Sequence, residues 1–354
     1  MKGLILSGGK GTRLRPLTFT SAKQLVPVAN KPILFYGIED LAAAGIRDIG
    51  IVVGDTAREI AAAVGDGSAL GVRATYLPQE APLGLAHAVL ISREWLGDDP
   101  FVMYLGDNIL RGGIGGLVEN FIRVRPDAQI LLAKVPDPNR FGVAELDGDR
   151  VVGLEEKPRT PRSDLALVGV YMFSTAIHEA VRAIRPSERG ELEITDALQH
   201  LLRQGRDVRS HLVSGWWKDT GKISDLLEAN RLVLDGMEGG IVPPLGEGSR
   251  VEGRVRIGAG CRILRSTLRG PAIVGQGVVL EDAHIGPYTS IGDGAIVRRS
   301  EVEHSILLDH CRIEGVPYRL VDSLVGRQAE LTTGGGSRSA VSVVAGDMSR
   351  VVFP

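Results

Sequence analysis

The chain has 354 residues, 44% of them hydrophobic, so it can bury more than one ordinary core and is expected to form two globular domains. Its 41 lysines and arginines are balanced by 43 aspartates and glutamates. The formal net charge of −2 excludes a global basic field for a nucleic-acid backbone. Any phosphate site must therefore be local.

The sequence also argues against membrane insertion and secretion. The apolar run before Ser7 spans four residues, shorter than a signal-peptide core, and no later stretch approaches a membrane span. Cys261 and Cys311 lack metal-ligand spacing and fit a reducing compartment as small core residues. We expect a cytoplasmic protein with neither a nucleic-acid nor a membrane partner.

Short β-rich runs alternate with helical patterns from Lys2 to about Met237. The predicted strands are GLIL, DIGIVV, RATYL and FVMYL, and the predicted helices cover residues 32–44, 57–64 and 85–95. This alternation predicts an α/β, Rossmann-like domain with a mostly parallel central sheet. Because ligands bind beyond the carboxyl ends of such strands, we expect the site in the loops after GLIL and FVMYL.

The loop after the first strand reads LSGGKGTRLRPLT, residues 6–18. It is not a P-loop, because Lys10 is followed by Gly11, nor a dinucleotide fingerprint, because Leu14 stands where the third glycine is needed. Its small residues do allow backbone N–H groups to approach an anion, and the Arg13 guanidinium suits phosphate oxygens. An ordinary glycine-rich turn with solvated cations is the alternative.

From about residue 241 the helical patterns stop, and apolar residues recur every five or six positions. Such a hexad repeat predicts a parallel β-helix, in which three short faces make one coil and each coil buries its side chains on the next. The apolar series counted from Val251 to Ile313 predicts roughly four coils.

The change of pattern places the domain boundary after residue 240, which gives domains of residues 1–240 and 241–354. GGGS at residues 334–337 is interpreted as a flexible joint. The last segment, SRVVFP, is interpreted as an extended tail.

A series of motifs makes the first region similar to a known family. In chain order they are GGKGTRLRPLT with KQLVPVANKP, then LGDN, EEKP, VGVYMF, GELEITD and WWKDTG. They resemble the signature of the sugar-nucleotide pyrophosphorylases and, within them, of the glucose-1-phosphate thymidylyltransferases. The hexad region resembles the left-handed β-helix of the long form of these enzymes.

The resemblance implies an enzyme that makes dTDP-glucose and pyrophosphate from dTTP and glucose 1-phosphate, for deoxysugar biosynthesis, with Mg²⁺ as cofactor. The sugar phosphate attacks the α-phosphate in line, so cations must bring two anions together. By resemblance Arg13 bridges the triphosphate, Lys23 stabilises the α-phosphate and Lys157 holds the sugar phosphate. For Lys23 the alternative is a surface lysine in a polar loop.

The resemblance also assigns the nucleotide contacts. Gln79 and the backbone of Gly84 would hydrogen-bond the pyrimidine edge, and Leu83 departs from the aspartate of many relatives, so thymine and uracil both fit. His87 is interpreted as an ordinary helix residue. The predicted nucleotide-binding residues are Leu6, Gly8, Gly9, Gly11, Thr12, Gln79, Pro82, Gly84 and Gly106.

Two carboxylates from distant segments are predicted to bind Mg²⁺. Asp107 follows the buried run FVMYL, and Asp219 lies in WWKDTG. Mg²⁺ takes oxygen ligands and completes its coordination with water and substrate phosphates. A turn-forming role in GDN is the alternative for Asp107.

A further set of residues is predicted to recognise the sugar. Glu156 would bind the sugar hydroxyls beside Lys157. A sugar that lacks those hydroxyls would be rejected, because leaving a buried polar group unpaired costs about 1–3 kcal/mol. The alternative role of Glu156 is a solvated partner of Lys157. Glu191 and Glu193 could both be helix-entry residues instead of ligands, and of the two only Glu193 is retained as a predicted ligand. The predicted sugar-binding residues are Asn108, Gly142, Glu156, Lys157, Gly169, Tyr171 and Glu193.

Functions of other classes stay open. Many hexapeptide-repeat solenoids are acyltransferases, so His284, His304 or His310 would make the protein bifunctional, although four coils leave little room for an acyl-CoA groove. A uridylyltransferase is another alternative. A non-catalytic regulatory subunit would have lost Arg13, Lys23 or an aspartate of the predicted site, and the sequence retains them. The solenoid also predicts a homo-oligomer.

Overall fold

The computed structural model describes residues 1–9, 11–19, 21–240, 244–333, 340–341 and 343–353. Its contacts divide the chain into a first unit, Met1–Gly9 with Ile33–Asp219, and a second unit, Lys10–Pro32 with Thr220–Pro354. This division by contacts assigns the segment after the first strand to the second unit. A domain boundary after residue 240 stays a prediction.

Thirteen strands and eight α-helices precede the repeat region in the described chain. The strands are β1 (Lys2–Ser7), β2 (Pro27–Val28), β3 (Lys31–Pro32), β4 (Asp48–Val53), β5 (Arg73–Pro78), β6 (Phe101–Leu105), β7 (Asn108–Leu110), β8 (Ala128–Lys134), β9 (Gly142–Asp147), β10 (Arg150–Glu156), β11 (Leu165–Phe173), β12 (Val208–Leu212) and β13 (Trp217–Asp219). The helices are α1 (Ile33–Ala43), α2 (Ala57–Val64), α3 (Leu85–Ile91), α4 (Arg93–Leu96), α5 (Gly115–Val124), α6 (Ile177–Ala183), α7 (Ile194–Arg203) and α8 (Ile223–Asp235).

The first unit is built on a nine-stranded sheet in the order β5-β4-β1-β6-β11-β8-β12-β10-β9. The pairs among β5, β4, β1 and β6 are parallel, as expected for βαβ units. In contrast, β11 is antiparallel to both β6 and β8, and β10 is antiparallel to β9 and β12. The α/β expectation is therefore confirmed, but the sheet is mixed rather than mostly parallel.

The central strands are buried on both faces, which explains their continuous apolar runs. Leu4 and Ile5 of β1 are inaccessible, as are Phe101 and Met103 of β6. They belong to or adjoin a core that extends through β8 and β11 to the inner faces of the helices. Parallel pairing then brings the carboxyl ends of β1 and β6 to the same edge of the sheet.

The helices follow the predicted bounds closely, with one exception. Helix α1 covers the interior of the predicted segment 32–44, and α2 has the predicted bounds. The segment predicted as one helix over residues 85–95 is two helices that meet at Ser92. The Ser92 hydroxyl donates to the Ala88 carbonyl at 2.7 Å, a side-chain bond that favours a bend in a helix.

Every regular element described after residue 244 is a strand, as the loss of helical periodicity predicts. The strands are β14 (Arg250–Glu252), β15 (Val255–Ile257), β16 (Arg262–Leu264), β17 (Thr267–Arg269), β18 (Ala272–Val274), β19 (Val279–Glu281), β20 (His284–Ile285), β21 (Thr289–Ile291), β22 (Ile296–Arg298), β23 (Glu301–Glu303), β24 (Ile306–Leu307), β25 (Arg312–Glu314), β26 (Arg319–Val321), β27 (Leu324–Val325), β28 (Glu330–Thr333), β29 (Ala340–Val341), β30 (Val344–Ala345) and β31 (Arg350–Phe353).

These strands form three six-stranded parallel sheets that the chain visits in rotation, an arrangement that fits a three-faced β-helix. Leu268 pairs with Ile285, which pairs with Val302, so equivalent aliphatic residues stack from one coil to the next. Cys311 is buried in this stack, and Cys261 lies at its margin, both as thiols.

The prediction of four coils is wrong, because each sheet contains six strands. The apolar count stopped at Ile313, whereas the pairing continues through Leu331 to Val351. The proposed joint at residues 334–337 lies outside the described residues. The segment interpreted as an extended tail contains β31, which pairs with β28 as part of the repeat region. In the part of the chain that is described, none of the helices has the length and hydropathy needed to cross a bilayer.

The first unit also buries a histidine in its core. His178 of α6 is 3% exposed, its ring stacks on Phe101 at 5.9 Å, and neither ring nitrogen has a hydrogen-bond partner among the described residues. Burial, followed by the charges of Arg93 and Arg182, lowers the pKa of His178 from 6.5 to about 4. The folded chain therefore holds this imidazole neutral at pH 7.

This burial predicts a specific loss of stability in acid. Between pH 6.5 and about 4 the unfolded chain binds a proton that His178 does not bind when folded. The contribution is complete above pH 6.5 and is lost as the pH falls toward 4. We expect wild type to lose about 1–2 kcal/mol more than His178→Phe between pH 7 and pH 5, measured by urea unfolding. Equal losses in the two proteins would contradict this assignment.

Candidate active site

The predicted site begins where β1 and β6 end. The Gly106 N–H donates to the Leu6 carbonyl at 3.0 Å, which extends the pairing one step beyond β6. A Cβ at Gly106 would lie only 3.0 Å from that same oxygen, so the close approach favours glycine. The two loops that begin at Ser7 and Gly106 therefore leave the sheet side by side.

The structure brings Gln79, Gly8 and Gly84 together, as the nucleotide assignment requires. Gln79 follows β5, and its Oε1 lies 3.3 Å from the position a Cβ would take on Gly8. Its Nε2 lies 3.3 Å from the Gly84 carbonyl and 3.0 Å from His87 Nδ1. The interpretation of His87 as an ordinary helix residue is incomplete, because the imidazole orients the Gln79 amide.

Gly84 joins the predicted nucleotide segment to the predicted sugar segment. Its φ is 103°, and a Cβ there would overlap the backbone of Leu192. Leu192 N–H donates to the Leu83 carbonyl at 2.7 Å, and its carbonyl accepts from Ala86 N–H at 3.0 Å. The turn that contains the exposed Pro82 is thereby fixed to the residue that precedes Glu193.

The two predicted metal ligands occupy adjoining positions. Strand β7 pairs with β13 so that Asn108 lies opposite Asp219, and Asp107 directly precedes Asn108. Asn108 Nδ2 donates to Asp107 Oδ1 at 3.0 Å, while Trp217 Nε1 donates to Asn108 Oδ1 at 2.5 Å. Two carboxylate residues thus lie on neighbouring segments of the chain just beyond the end of β6, and carboxylate oxygens are ligands of the kind that Mg²⁺ prefers. Within the described ranges, no group of three or more His, Cys, Asp or Glu residues is arranged to hold a metal.

Gly169 of β11 reaches the same region, whereas Tyr171 lies two residues further along the strand, opposite Met103. A Cβ on Gly169 would lie 2.7 Å from Asn108 Oδ1, so the missing side chain leaves room for this amide. Tyr171 is 3% exposed and stacks on Phe173 with a centroid distance of 6.0 Å. Burial, and then the charge of Glu156, raises the pKa of Tyr171, which keeps the phenol neutral.

The predicted sugar carboxylate lies opposite Gly142, its partner in the pairing of β9 with β10. Glu156 Oε2 accepts from the Thr195 hydroxyl at 2.7 Å, and Oε1 lies 3.0 Å from Lys157 Nζ. Lys157 has a φ of 43°, a left-handed conformation that is uncommon for a side-chain-bearing residue. The structure therefore supports both the contact between Glu156 and Lys157 and a specific orientation of the carboxylate by Thr195.

Sequence reasoning missed Arg189, which connects the acidic side chains. Its Nη2 lies 2.8 Å from Glu193 Oε1, 3.2 Å from Glu156 Oε1 and 3.7 Å from Glu191 Oε2. The Glu193 side chain is only 6% exposed and also accepts from the Ser187 hydroxyl at 2.7 Å. The available signal was a lone arginine among the acidic residues of SERGELE.

The two cations predicted to bind the triphosphate, Arg13 and Lys23, belong to the second unit. Gly11 has a φ of 61°, and a Cβ on it would lie 2.8 Å from Lys23 Cβ. The Thr18 hydroxyl donates to the Gly11 carbonyl at 2.7 Å, which closes the turn that contains Thr12 and Arg13. Arg13 is exposed, whereas Lys23 is half-buried, so a fully exposed surface lysine is the poorer description of Lys23.

The predicted residues thus fall into separate contact groups. In the first unit Gln79, Gly8 and Gly84 form one group, and the residues around Asp107 and Glu156 form two more. The second unit contains Gly11 with Lys23, and Gly9 directly precedes that segment in the chain. The roles of these residues stay predictions.

An edge-of-sheet site of this kind, built on a Rossmann-like sheet with a glycine-rich first loop, is typical of nucleotidyltransferases. The sequence model of the nucleotidyl transferase family matches residues 2–236, and the chain belongs to this family. The protein is therefore an enzyme of the nucleotidyltransferase class.

Similar proteins narrow the class further. The glucose-1-phosphate thymidylyltransferases of Streptomyces antibioticus and Streptomyces griseus are 57% and 56% identical, each over 99% of both chains. A crystal structure of a Bacillus anthracis protein assigned as a glucose-1-phosphate thymidylyltransferase is 37% identical, with a TM-score of 0.63, and covers 68% of this chain and 98% of its own. The resemblance to this group is confirmed, and the Streptomyces relatives share the full length, including the repeat region.

The Trp217–Asn108 hydrogen bond predicts that a change at Trp217 will slow the reaction, because Asn108 orients Asp107, one of the two predicted metal ligands. Asn108 is 2% exposed, so Trp217→Phe leaves a buried amide oxygen unpaired and frees the side chain that orients Asp107. We expect nucleotidyl transfer to slow about tenfold, in line with a loss of about 1–3 kcal/mol. Trp216→Phe is the matched control, because it keeps this hydrogen bond. An equal rate in the two variants would contradict the orienting role.

Proposed function

We propose that the protein is a glucose-1-phosphate thymidylyltransferase, which converts dTTP and glucose 1-phosphate into dTDP-glucose and pyrophosphate. The observation that carries the proposal is full-length identity above 50% to two Streptomyces enzymes of that name. The contact groups of the first unit support it, because they provide separate places for a base, a metal and a sugar phosphate.

Base recognition is assigned to the group around Gln79. With His87 Nδ1 and the Gly84 carbonyl on its Nε2, the amide is held in one orientation, and its Oε1 faces Gly8. A fixed amide distinguishes a pyrimidine imide from a purine edge, but it does not detect the thymine methyl group. We expect dTTP to be preferred over purine nucleotides, with UTP as the competing substrate.

Sugar recognition is assigned to Glu156, Lys157 and Arg189. Thr195 orients the Glu156 carboxylate toward hydroxyl groups, while Lys157 and Arg189 supply positive charge for the phosphate. In the absence of substrate the two cations pair with acidic side chains, so they are not left uncompensated. Binding a sugar phosphate then exchanges one anion for another at the same cations.

Transfer itself requires that the attacking phosphate approach the α-phosphate in line with the departing pyrophosphate. Arg13 and Lys23 are assigned to the triphosphate, where their charge offsets the repulsion between two anionic reactants. Asp107 and Asp219 would hold Mg²⁺, whose chemistry when bound is to neutralise charge on the phosphate oxygens. Asn108 keeps the Asp107 carboxylate oriented through its Nδ2.

Several finer features belong to the same proposal. The coil of the repeat region is left-handed, as in other hexapeptide-repeat proteins, and it supports a homo-oligomer. The enzyme works in the cytoplasm, where the thiols of Cys261 and Cys311 stay reduced, and it supplies an activated glucose for deoxysugar biosynthesis.

The test is pyrophosphate release from glucose 1-phosphate and Mg²⁺ with dTTP, UTP, ATP, GTP and CTP supplied in turn. We expect the highest kcat/KM with dTTP, lower values with UTP and only trace release with purine nucleotides, because of the fixed Gln79 amide. Reactions without glucose 1-phosphate or with a chelator are the controls. If no nucleotide releases pyrophosphate, the catalytic assignment is wrong, and the regulatory or acyltransferase hypothesis replaces it.

The metal assignment makes a separate prediction. Asp107→Asn and Asp219→Asn each remove one negative charge from the proposed donor set, so the Mg²⁺ concentration for half-maximal rate should rise and the saturated rate should fall about 100-fold. Asp98→Asn is the control, since Asp98 is 87% exposed and pairs with Arg93. A normal Mg²⁺ dependence in both site variants would exclude this pair as the metal ligands.

A further inference from the structure

The segment that carries Arg13 and Lys23 has little regular structure of its own. Residues 11–19 and 21–32, named here the cationic loop, contain three single-turn 3₁₀ helices and the two-residue strands β2 and β3. Such short turns have few hydrogen bonds to resist displacement. The loop must therefore be positioned by contacts with other parts of its unit.

The first of these contacts comes from the fifth and sixth coils of the repeat region. Arg327 Nη1 donates to the Ser21 hydroxyl at 3.0 Å, and Ser21 Oγ in turn lies 3.4 Å from Asp347 Oδ2. Arg327 also lies 3.5 Å from Asp309 Oδ2 and 4.0 Å from Asp347 Oδ2. The Asp347 side chain is only 10% exposed, whereas those of Arg327 and Asp309 are 33% and 42% exposed, so the network is shielded from solvent at its Asp347 side.

Packing reinforces this contact. A Cβ on Gly346 would lie 3.0 Å from Pro16 Cβ and 3.3 Å from the Pro16 carbonyl oxygen. The backbone turn of the sixth coil therefore approaches the cationic loop directly, without an intervening side chain. Pro16 lies three residues after Arg13, and Ser21 lies two residues before Lys23.

A second set of contacts holds the other end of the loop. Asn30 Nδ2 donates to the Ile291 carbonyl at 2.7 Å, and the Ala29 N–H donates to Asn230 Oδ1 at 2.8 Å. Asn230 is 1% exposed and also donates to the Tyr288 carbonyl at 3.0 Å. The β2–β3 turn is thus bonded directly to the repeat region and indirectly through α8.

We infer that the repeat region positions the cationic loop for nucleotide binding, with Arg327 as the positioning residue at the end near Lys23. The inference rests on the proposed function, because Arg13 and Lys23 are assigned there to the triphosphate. It adds a role for the repeat region in catalysis that does not depend on any chemistry within the coils. A displacement of about 1 Å in groups that hold a reactant is enough to cost about 100-fold in rate.

The test compares Arg327→Ala, Arg327→Lys, Ser21→Ala and the double variant Ser21→Ala/Arg327→Ala in the full-length chain. We expect Arg327→Ala to raise the dissociation constant for dTTP about tenfold, while the KM for glucose 1-phosphate changes less than twofold. Arg327→Lys retains a cation near Asp309 and Asp347 and should recover part of the affinity. Because Ser21 and Arg327 share one hydrogen bond, the double variant should bind dTTP with about the same dissociation constant as Arg327→Ala alone.

The control variant is Arg312→Ala, because Arg312 pairs with Glu314 on its own strand of the repeat region. It should bind dTTP as wild type does and unfold at a similar temperature to Arg327→Ala. Unchanged dTTP binding in Arg327→Ala would overturn the inference while leaving the proposed function intact. An equal loss for both substrates, with a matching loss in Arg312→Ala, would show a general structural effect and would also overturn it. An inactive wild type would instead refute the proposed function.

Discussion

The parallel pairing of β1 with β6 is the constraint on which the first unit's site depends. It places Leu6 opposite Leu105, and the Gly106 N–H extends the pairing past the end of the strand. The glycine-rich loop and the GDN turn must then leave the sheet at one edge, whatever their own conformations. Asp107 is fixed there through Asn108, whose amide is in turn held by Trp217. The carboxylate proposed to bind a metal is thereby held by a buried side chain, since Asn108 is 2% exposed.

The antiparallel strands add what a purely parallel sheet would lack. Strand β11 inserts between β6 and β8, so Gly169 reaches Asn108 of the GDN turn from the opposite chain direction. The β9–β10 pairing brings Glu156 opposite Gly142, and Leu192 fixes the turn around Gly84. The residues proposed to contact base, metal and sugar thus come from segments far apart in sequence, and short backbone contacts at glycines hold these segments together.

Local pattern was sufficient where local physics decides the structure. The buried strands β4 and β6 and the helix α2 follow from apolar runs and periodicity. The motifs identified Asp107, Glu156 and Gln79 as candidate site residues, whose roles stay predictions. Local sequence pattern was insufficient where contacts between residues distant in the chain decide the structure. Neither the insertion of β11 nor the contact of Arg189 with Glu193 leaves a periodic signal, and His87 looks like any residue on a helix until Gln79 is placed beside it. The hexad count ended at Ile313 because the next apolar positions, such as Leu320 and Leu324, no longer keep the spacing of five or six.

That undercount conceals a functional consequence. Four coils would end at β25, whereas Arg327 lies in the fifth coil and Gly346 and Asp347 lie in the sixth. The residues that contact Pro16 and Ser21 therefore exist only because the solenoid continues two coils further. A solenoid is extended by adding coils, so the number of coils sets how far from the first coil its last rigid turns lie. Here the turns of the fifth and sixth coils contact the cationic loop, whose own short turns are not enough to hold Arg13 and Lys23 in place. The number of coils therefore serves a purpose beyond stability.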